Sequence, residues 1–137
     1  MSKKTVEFMQ KNKRLFSMHL FSFGVLVLGF LLCRYVFFNL HGMEEWPVDL
    51  LIAGLVVQLI SLLAGKQYAP WFSAVGYSLG FWLGAIFHTE KPAKHGGIND
   101  NLWQIWTIVF LICILAGVVF EIVRKWRKLI KNRHPKL

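Results

Sequence analysis

Four apolar blocks, each close to the thickness of a lipid bilayer, alternate with short segments that hold nearly all the charge. The hydrocarbon core of a bilayer is about 30 Å thick and takes about 20 helical residues to cross. The blocks run 15–38, 48–65, 69–88 and 102–123. The second and third sit near the lower limit of about 17 residues. Long apolar runs of this kind read as membrane helices. The expected fold is therefore all-α: a polytopic membrane protein, built as a bundle of four transmembrane helices in a single domain over residues 1–137. Basic tails are expected at 1–14 and 124–137.

A signal peptide is the rival reading of the first block. Its apolar region is too long for that, and no small-residue cleavage site follows. We take it as a retained helix. Trp46 and Pro47 stand at the start of the second block, an interfacial anchor followed by a residue tolerated in a first helical turn. Pro70 plays the same part in the third. Trp103 and Trp106 mark one interface of the fourth block, and Trp126 marks the other.

Direction follows from the lysines and arginines, which favour the cytoplasmic side. Five lie in residues 1–14, Lys66 lies between the second and third blocks, and seven lie in 124–137. The opposite side carries only Lys91 and Lys94, and Arg34 falls within a block. Both termini are expected in the cytoplasm. Glu44, Glu45, Asp49, Glu90 and Asp100 then lie at the outer face. The net charge of +9 does not imply nucleic acid, because the basic residues flank apolar blocks instead of forming a stripe on a polar domain. Anionic lipid headgroups are the expected partner of these tails. Trp126, Leu129 and Ile130 fall on one face of a helix continued beyond the fourth block, expected to lie against those headgroups. Cys33 and Cys113 both fall inside apolar blocks and read as buried thiols.

The third block contains GYSLGFWLG, with glycine at every fourth position. Residues four apart share a helix face, so Gly76, Gly80 and Gly84 form a groove that Ser73 and Ala69 extend. Small residues let two helices approach closely and gain contacts that lipid does not offer. Two readings follow: packing within the same bundle, or a subunit interface with another membrane protein or a second copy.

Polar residues inside the blocks are the candidate sites. Arg34 either serves a function or snorkels to the outer headgroups, and Asp49 is its nearest expected partner. Glu121 has Arg124 and Lys125 at i+3 and i+4, a spacing for local ion pairs. His19 lies at similar depth, within reach of a hydrogen bond to Glu121. Gln58 is the amide at mid-bilayer and reads as glue between helices. His88, His95 and a loop carboxylate show no metal-ligand spacing, so neither a metal site nor a cofactor is expected. In the loop, Asn99, Asp100 and Asn101 are candidate caps for the fourth helix. No catalytic motif is present.

The third block, the GGINDNLWQIWT linker and the fourth block together resemble small four-span membrane proteins of Gram-positive bacteria. The resemblance implies a multi-pass protein of a bacterial plasma membrane and carries no chemistry with it. The expected function is non-enzymatic: a small accessory or regulatory partner of another membrane protein. The alternative is a small oligomeric transporter or channel for an ion or small solute. A reporter active only in the cytoplasm should work when fused after Leu137, and one active only outside should work when inserted near Lys94. An externally accessible C-terminus would overturn this direction.

Overall fold

The computed structural model describes residues 3–92, 94 and 98–133. The chain is almost entirely helical. Helix α1 runs Lys3–Leu31 and passes into a π-helical turn at Leu32–Val36, after which α2 covers Phe38–His41. Helices α3 (Trp46–Leu63), α4 (Ala69–Phe87) and α5 (Leu102–Arg133) follow. Three helical stretches, Lys3–Val36, Trp46–Leu63 and Leu102–Arg133, are long and apolar enough to cross a membrane. Helix α4 is more heavily buried and packs against α1, α3 and α5.

Three sequence expectations need correcting. The first helix begins at Lys3, well before the apolar block, so the basic segment ahead of Leu15 is helical. Near its other end the α-helix gives way at Leu32, and the π turn closes with Phe37 N–H donating to Leu32 O at 2.9 Å. The segment between α4 and α5 is not simply loop. Strands β1 (Glu90–Pro92) and β2 (Ile98–Asp100) pair antiparallel, with Glu90 opposite Asp100. Gly96, Gly97 and His95, read as turn formers and a metal candidate, lie outside the described residues.

Two ends of the molecule can be distinguished. At the turn end, Gly65 takes a positive φ of 64°, and the chain reverses there. Lys66 N–H reaches back to Ser61 O at 2.8 Å and Gly65 N–H to Leu62 O at 3.1 Å. This pair of bonds closes the last turn of α3 around a left-handed glycine. At the hairpin end, β1 and β2 join α4 to α5, and α2 joins α1 to α3.

The core is assembled around α4. Tyr77, Phe81, Trp106 and Phe110 are fully or almost fully buried, as are Leu26 and Leu102. The expectation that Trp106 sits in an interfacial belt is wrong: it is 0% exposed. Its ring meets Tyr77 and Phe81 edge-on, each at 5.2 Å between centroids. A tryptophan this deep needs a partner for its N–H, and Nε1 donates to Tyr77 O at 2.8 Å.

The glycine groove of α4 is filled by α5. A Cβ placed on Gly76 would lie 2.5 Å from Cys113 Cβ, and one on Gly80 would lie 2.8 Å from the Trp106 carbonyl oxygen. One on Gly84 would lie 3.1 Å from Leu102 O. The approach is reciprocal, since a Cβ on Gly117 of α5 would meet Phe72 Cβ at 2.8 Å. Of the two readings of the groove, packing within the chain is therefore the one observed. Ser73 and Ala69 are buried along the same face, and the Ser73 hydroxyl donates to Pro70 O at 2.8 Å. The groove is thus not open to a second copy or to another protein.

Gly80→Ala should destabilise the protein in detergent by about 1–3 kcal/mol, the usual cost of overpacking. Gly24 has nothing within 4 Å of its added Cβ. Gly24→Ala should leave the thermal midpoint unchanged or raise it, because alanine is the better helix former. Equal midpoints for the two variants would count against a close α4–α5 contact.

Candidate functional site

The polar side chains gather at the two ends and at one point between them. At the turn end, the two residues that lead into α4, Gln67 and Tyr68, carry backbone N–H groups that need a partner outside the helix. Glu121, from α5, supplies one. Its Oε1 accepts from Gln67 N–H at 2.7 Å and from Tyr68 N–H at 2.6 Å. A carboxylate at a helix N-terminus also meets the positive end of the helix dipole. Glu121 thus caps a neighbouring helix, and it forms no ion pair with Arg124 or Lys125. Arg124 instead lies over the Tyr68 ring, 4.5 Å from its centroid.

His19 reaches the same turn from α1. Its Nε2 lies 2.7 Å from Lys66 O. A carbonyl only accepts, so Nε2 carries the proton. His19 and Glu121 are brought to adjacent residues of one turn, but they do not bond to each other. Lys11, Lys66, Lys125 and Lys128 surround this turn and, with Arg124, line a crevice of about 210 Å³.

Between the ends, Gln58 Nε2 donates to Ser22 Oγ at 3.2 Å, both side chains being buried. The bond joins α3 to α1. Ser22 was not singled out by the sequence, where a serine in an apolar helix carries no signal of its own.

At the hairpin end the π turn organises the site. Arg34 lies within it and donates through Nη1 to the carbonyl of Glu44. The expected pair with Asp49 is not formed. Asp49 is exposed in the first turn of α3, where its charge favours the helix dipole without help from Arg34. His41 Nε2 donates to Cys33 O at 2.8 Å, while Nδ1 accepts from Met43 N–H at 2.9 Å. These two contacts fix one neutral tautomer. The ring also meets Phe81 edge-on at 5.7 Å. Nearby, Tyr77 Oη donates to Pro47 O at 2.9 Å, and Trp46 Nε1 donates to Thr107 Oγ1 at 3.1 Å. Tyr77 is a residue that sequence reading missed. The one available signal was chemical: a buried phenol has to find an acceptor.

Asp100 and Asn101 divide the work at the start of α5. Asp100 Oδ1 accepts from Leu102 N–H at 2.9 Å, and Asn101 Oδ1 accepts from Thr89 N–H at 2.7 Å. Asn101 O also receives Gln104 N–H, so Asn101 is the residue at which the helix begins. His88 Nε2 stands 3.8 Å from Glu90 Oε1. Among the described residues, no three His, Cys, Asp or Glu side chains come together as a metal-binding group. No buried side-chain nitrogen or oxygen among them lacks a hydrogen-bond partner.

No protein-family model matches this chain, and no curated protein or solved structure matches it either.

Glu121→Ala strands the Gln67 and Tyr68 N–H groups. Both donors are only half-buried, so water replaces part of what is lost and a loss of about 1 kcal/mol is expected for the variant. Glu121→Gln keeps an acceptor and should lose less. Amide exchange at Gln67 and Tyr68 should accelerate in the alanine variant. Unchanged exchange at both amides would mean that Glu121 is not their partner.

Proposed function

We propose that this chain is a non-enzymatic integral membrane protein, a small accessory or regulatory partner of another membrane protein. It crosses a bacterial plasma membrane four times, with both termini in the cytoplasm. Helix α4 is the fourth span. Its 19 residues measure about 28 Å at the rise of an α-helix. It lies among the other three helices, with Ser73, Gly76, Tyr77 and Gly80 on its buried face. The turn end is the cytoplasmic one, since Lys11, Lys66, Arg124, Lys125 and Lys128 collect there.

One observation carries the functional reading. Interior polar groups are spent on holding the helices together, while large apolar side chains face outward. Gln58 and Ser22 bond to each other, Tyr77 bonds to α3, and His19 and Glu121 hold the turn. A translocation path needs polar groups left free for the solute, and a reaction needs groups left free for the substrate. Outward-facing residues such as Phe16, Leu20 and Phe21 of α1 offer instead a broad apolar surface to lipid or to neighbouring helices.

The test is purification from native membranes in mild detergent, together with flux measurements in proteoliposomes. The expected result is a reproducible, stoichiometric complex with one other membrane protein, and no solute or ion flux from the purified chain alone. A homo-oligomer that mediates flux by itself would replace this reading with the transporter or channel.

A further inference from the structure

A groove of about 620 Å³ lies on the outer face of α4 and α5 toward the turn end. Its floor and walls are apolar: Phe72 from α4, and Ala116, Val119, Phe120 and Val123 from α5. Only its end is charged, where Arg124 and Arg127 stand. We propose that this groove seats one anionic phospholipid, with an acyl chain along the apolar trough and its phosphate on the two guanidinium groups. The proposal rests on the membrane reading above and adds a defined site to it.

Helical spacing builds the trough. Ala116, Phe120, Val123 and Arg127 follow one another at intervals of four, three and four, so they share a face of α5. From Ala116 to Arg127 the helix rises about 16 Å, close to half of a hydrocarbon core of about 30 Å. The trough therefore matches the reach of one leaflet. Phe72 and Phe120 form its aromatic wall, and Tyr68 backs Phe120 edge-on. Phe120 meets Tyr68 at 5.1 Å and Phe72 at 5.9 Å between centroids.

The charged end is free to bind. Arg124 is steadied over the Tyr68 ring, a contact with the flat face that leaves the N–H edges of the guanidinium available. The nearest acid in sequence, Glu121, is committed to Gln67 and Tyr68. Among the described residues neither Arg124 nor Arg127 is ion-paired. Arg124 also borders the crevice that holds Lys11, Lys66, Lys125 and Lys128, so the field around the phosphate is positive on both sides. Guanidinium groups bind phosphate through paired, parallel N–H donors. A wholly apolar ligand would leave this end unmatched, and a free anion would leave the trough unused. The occupant that satisfies both is an amphiphile with a phosphate at the cytoplasmic interface.

The experiment is native mass spectrometry of the full-length protein in detergent. It is titrated with phosphatidylglycerol, with phosphatidylcholine of the same chains, and with inorganic phosphate. Phosphatidylglycerol should bind about tenfold more tightly than phosphatidylcholine, given the attraction of basic residues for anionic lipid. Inorganic phosphate should neither bind nor compete at the same concentrations. The Arg124→Gln, Arg127→Gln double variant should lose the preference between the two lipids. Val119→Trp, which fills the trough, should weaken both lipids alike. Lys3→Gln, Lys4→Gln, at the far end of α1, should behave as the wild type. Equal binding of the two lipids to the wild type would overturn the proposal. So would an equal loss in the Lys3, Lys4 variant, which would reduce the effect to overall charge. Competition by inorganic phosphate would indicate a free-anion site, and a dimer peak abolished by Val119→Trp would indicate a second copy in the trough; either result overturns the proposal. Resistance of each variant to carbonate extraction is measured in parallel. A variant that stays in the membrane but has lost lipid selectivity was inserted normally, so a negative lipid result is separated from a failure of the membrane reading.

Discussion

The rest of the structure hangs on the near-contact of two helix backbones. Helix α4 presents Gly76, Gly80 and Gly84 to α5, and α5 answers with its own Gly117 against Phe72 and Ala69. In lipid, helices gain little from hydrophobic burial against one another, since the lipid is equally apolar, and dense packing has to supply the attraction instead. The close approach also sets the polar geometry. It brings Trp106 near enough for Nε1 to reach the Tyr77 carbonyl. On the other side of α4, Tyr77 reaches the first turn of α3 through its hydroxyl. A wider spacing would forfeit the Trp106 bond together with the contacts.

The second constraint is that each polar group in an apolar setting has to be matched. Two helix-to-turn contacts fasten the α3–α4 reversal, His19 from one side and Glu121 from the other. At the opposite end the π turn gives a comparable example. A π turn is a local departure from the α-helical bonding pattern, often associated with functional positions. Here it leaves Cys33 O to receive His41 and lets Arg34 fold back onto the Glu44 carbonyl. The two histidines thus act as fixed struts between helix and backbone. Arg34, the most conspicuous charge in the apolar blocks, is satisfied by backbone and not by a carboxylate.

These contacts also explain why positive charge is left on the outer surface at the turn end. Once Glu121 is committed to the α3–α4 turn, Arg124 and Arg127, one and two turns beyond it, have no ion-pair partner among the described residues. The aromatic wall of Tyr68, Phe72 and Phe120 then leads from that positive end along the apolar length of α5. Capping of one helix and exposure of charge on its neighbour are two consequences of the same side chain.

Much of this was determined by the sequence alone. Block lengths gave away the number of the long helices, because their length and apolar composition leave few other arrangements for them, but not their limits, since α1 begins at Lys3 and α5 runs on to Arg133. The four-residue spacing of glycine fixed which face of α4 would be approached closely, and the polar run at 99–101 marked the start of α5. What the sequence left open was every pairing between elements. It suggested Arg34 with Asp49 and Glu121 with Arg124 or Lys125, since charge and spacing are all that a sequence displays. The tertiary structure chose backbone carbonyls and N–H groups instead, and these are invisible in a residue string because every residue carries them. It also moved Trp106 from the expected interface to the core, where a neighbouring helix happened to offer an acceptor. Periodicity is a local property and can be read from the chain. A hydrogen-bond partner is a matter of which surfaces meet, and only the packed helices decided that.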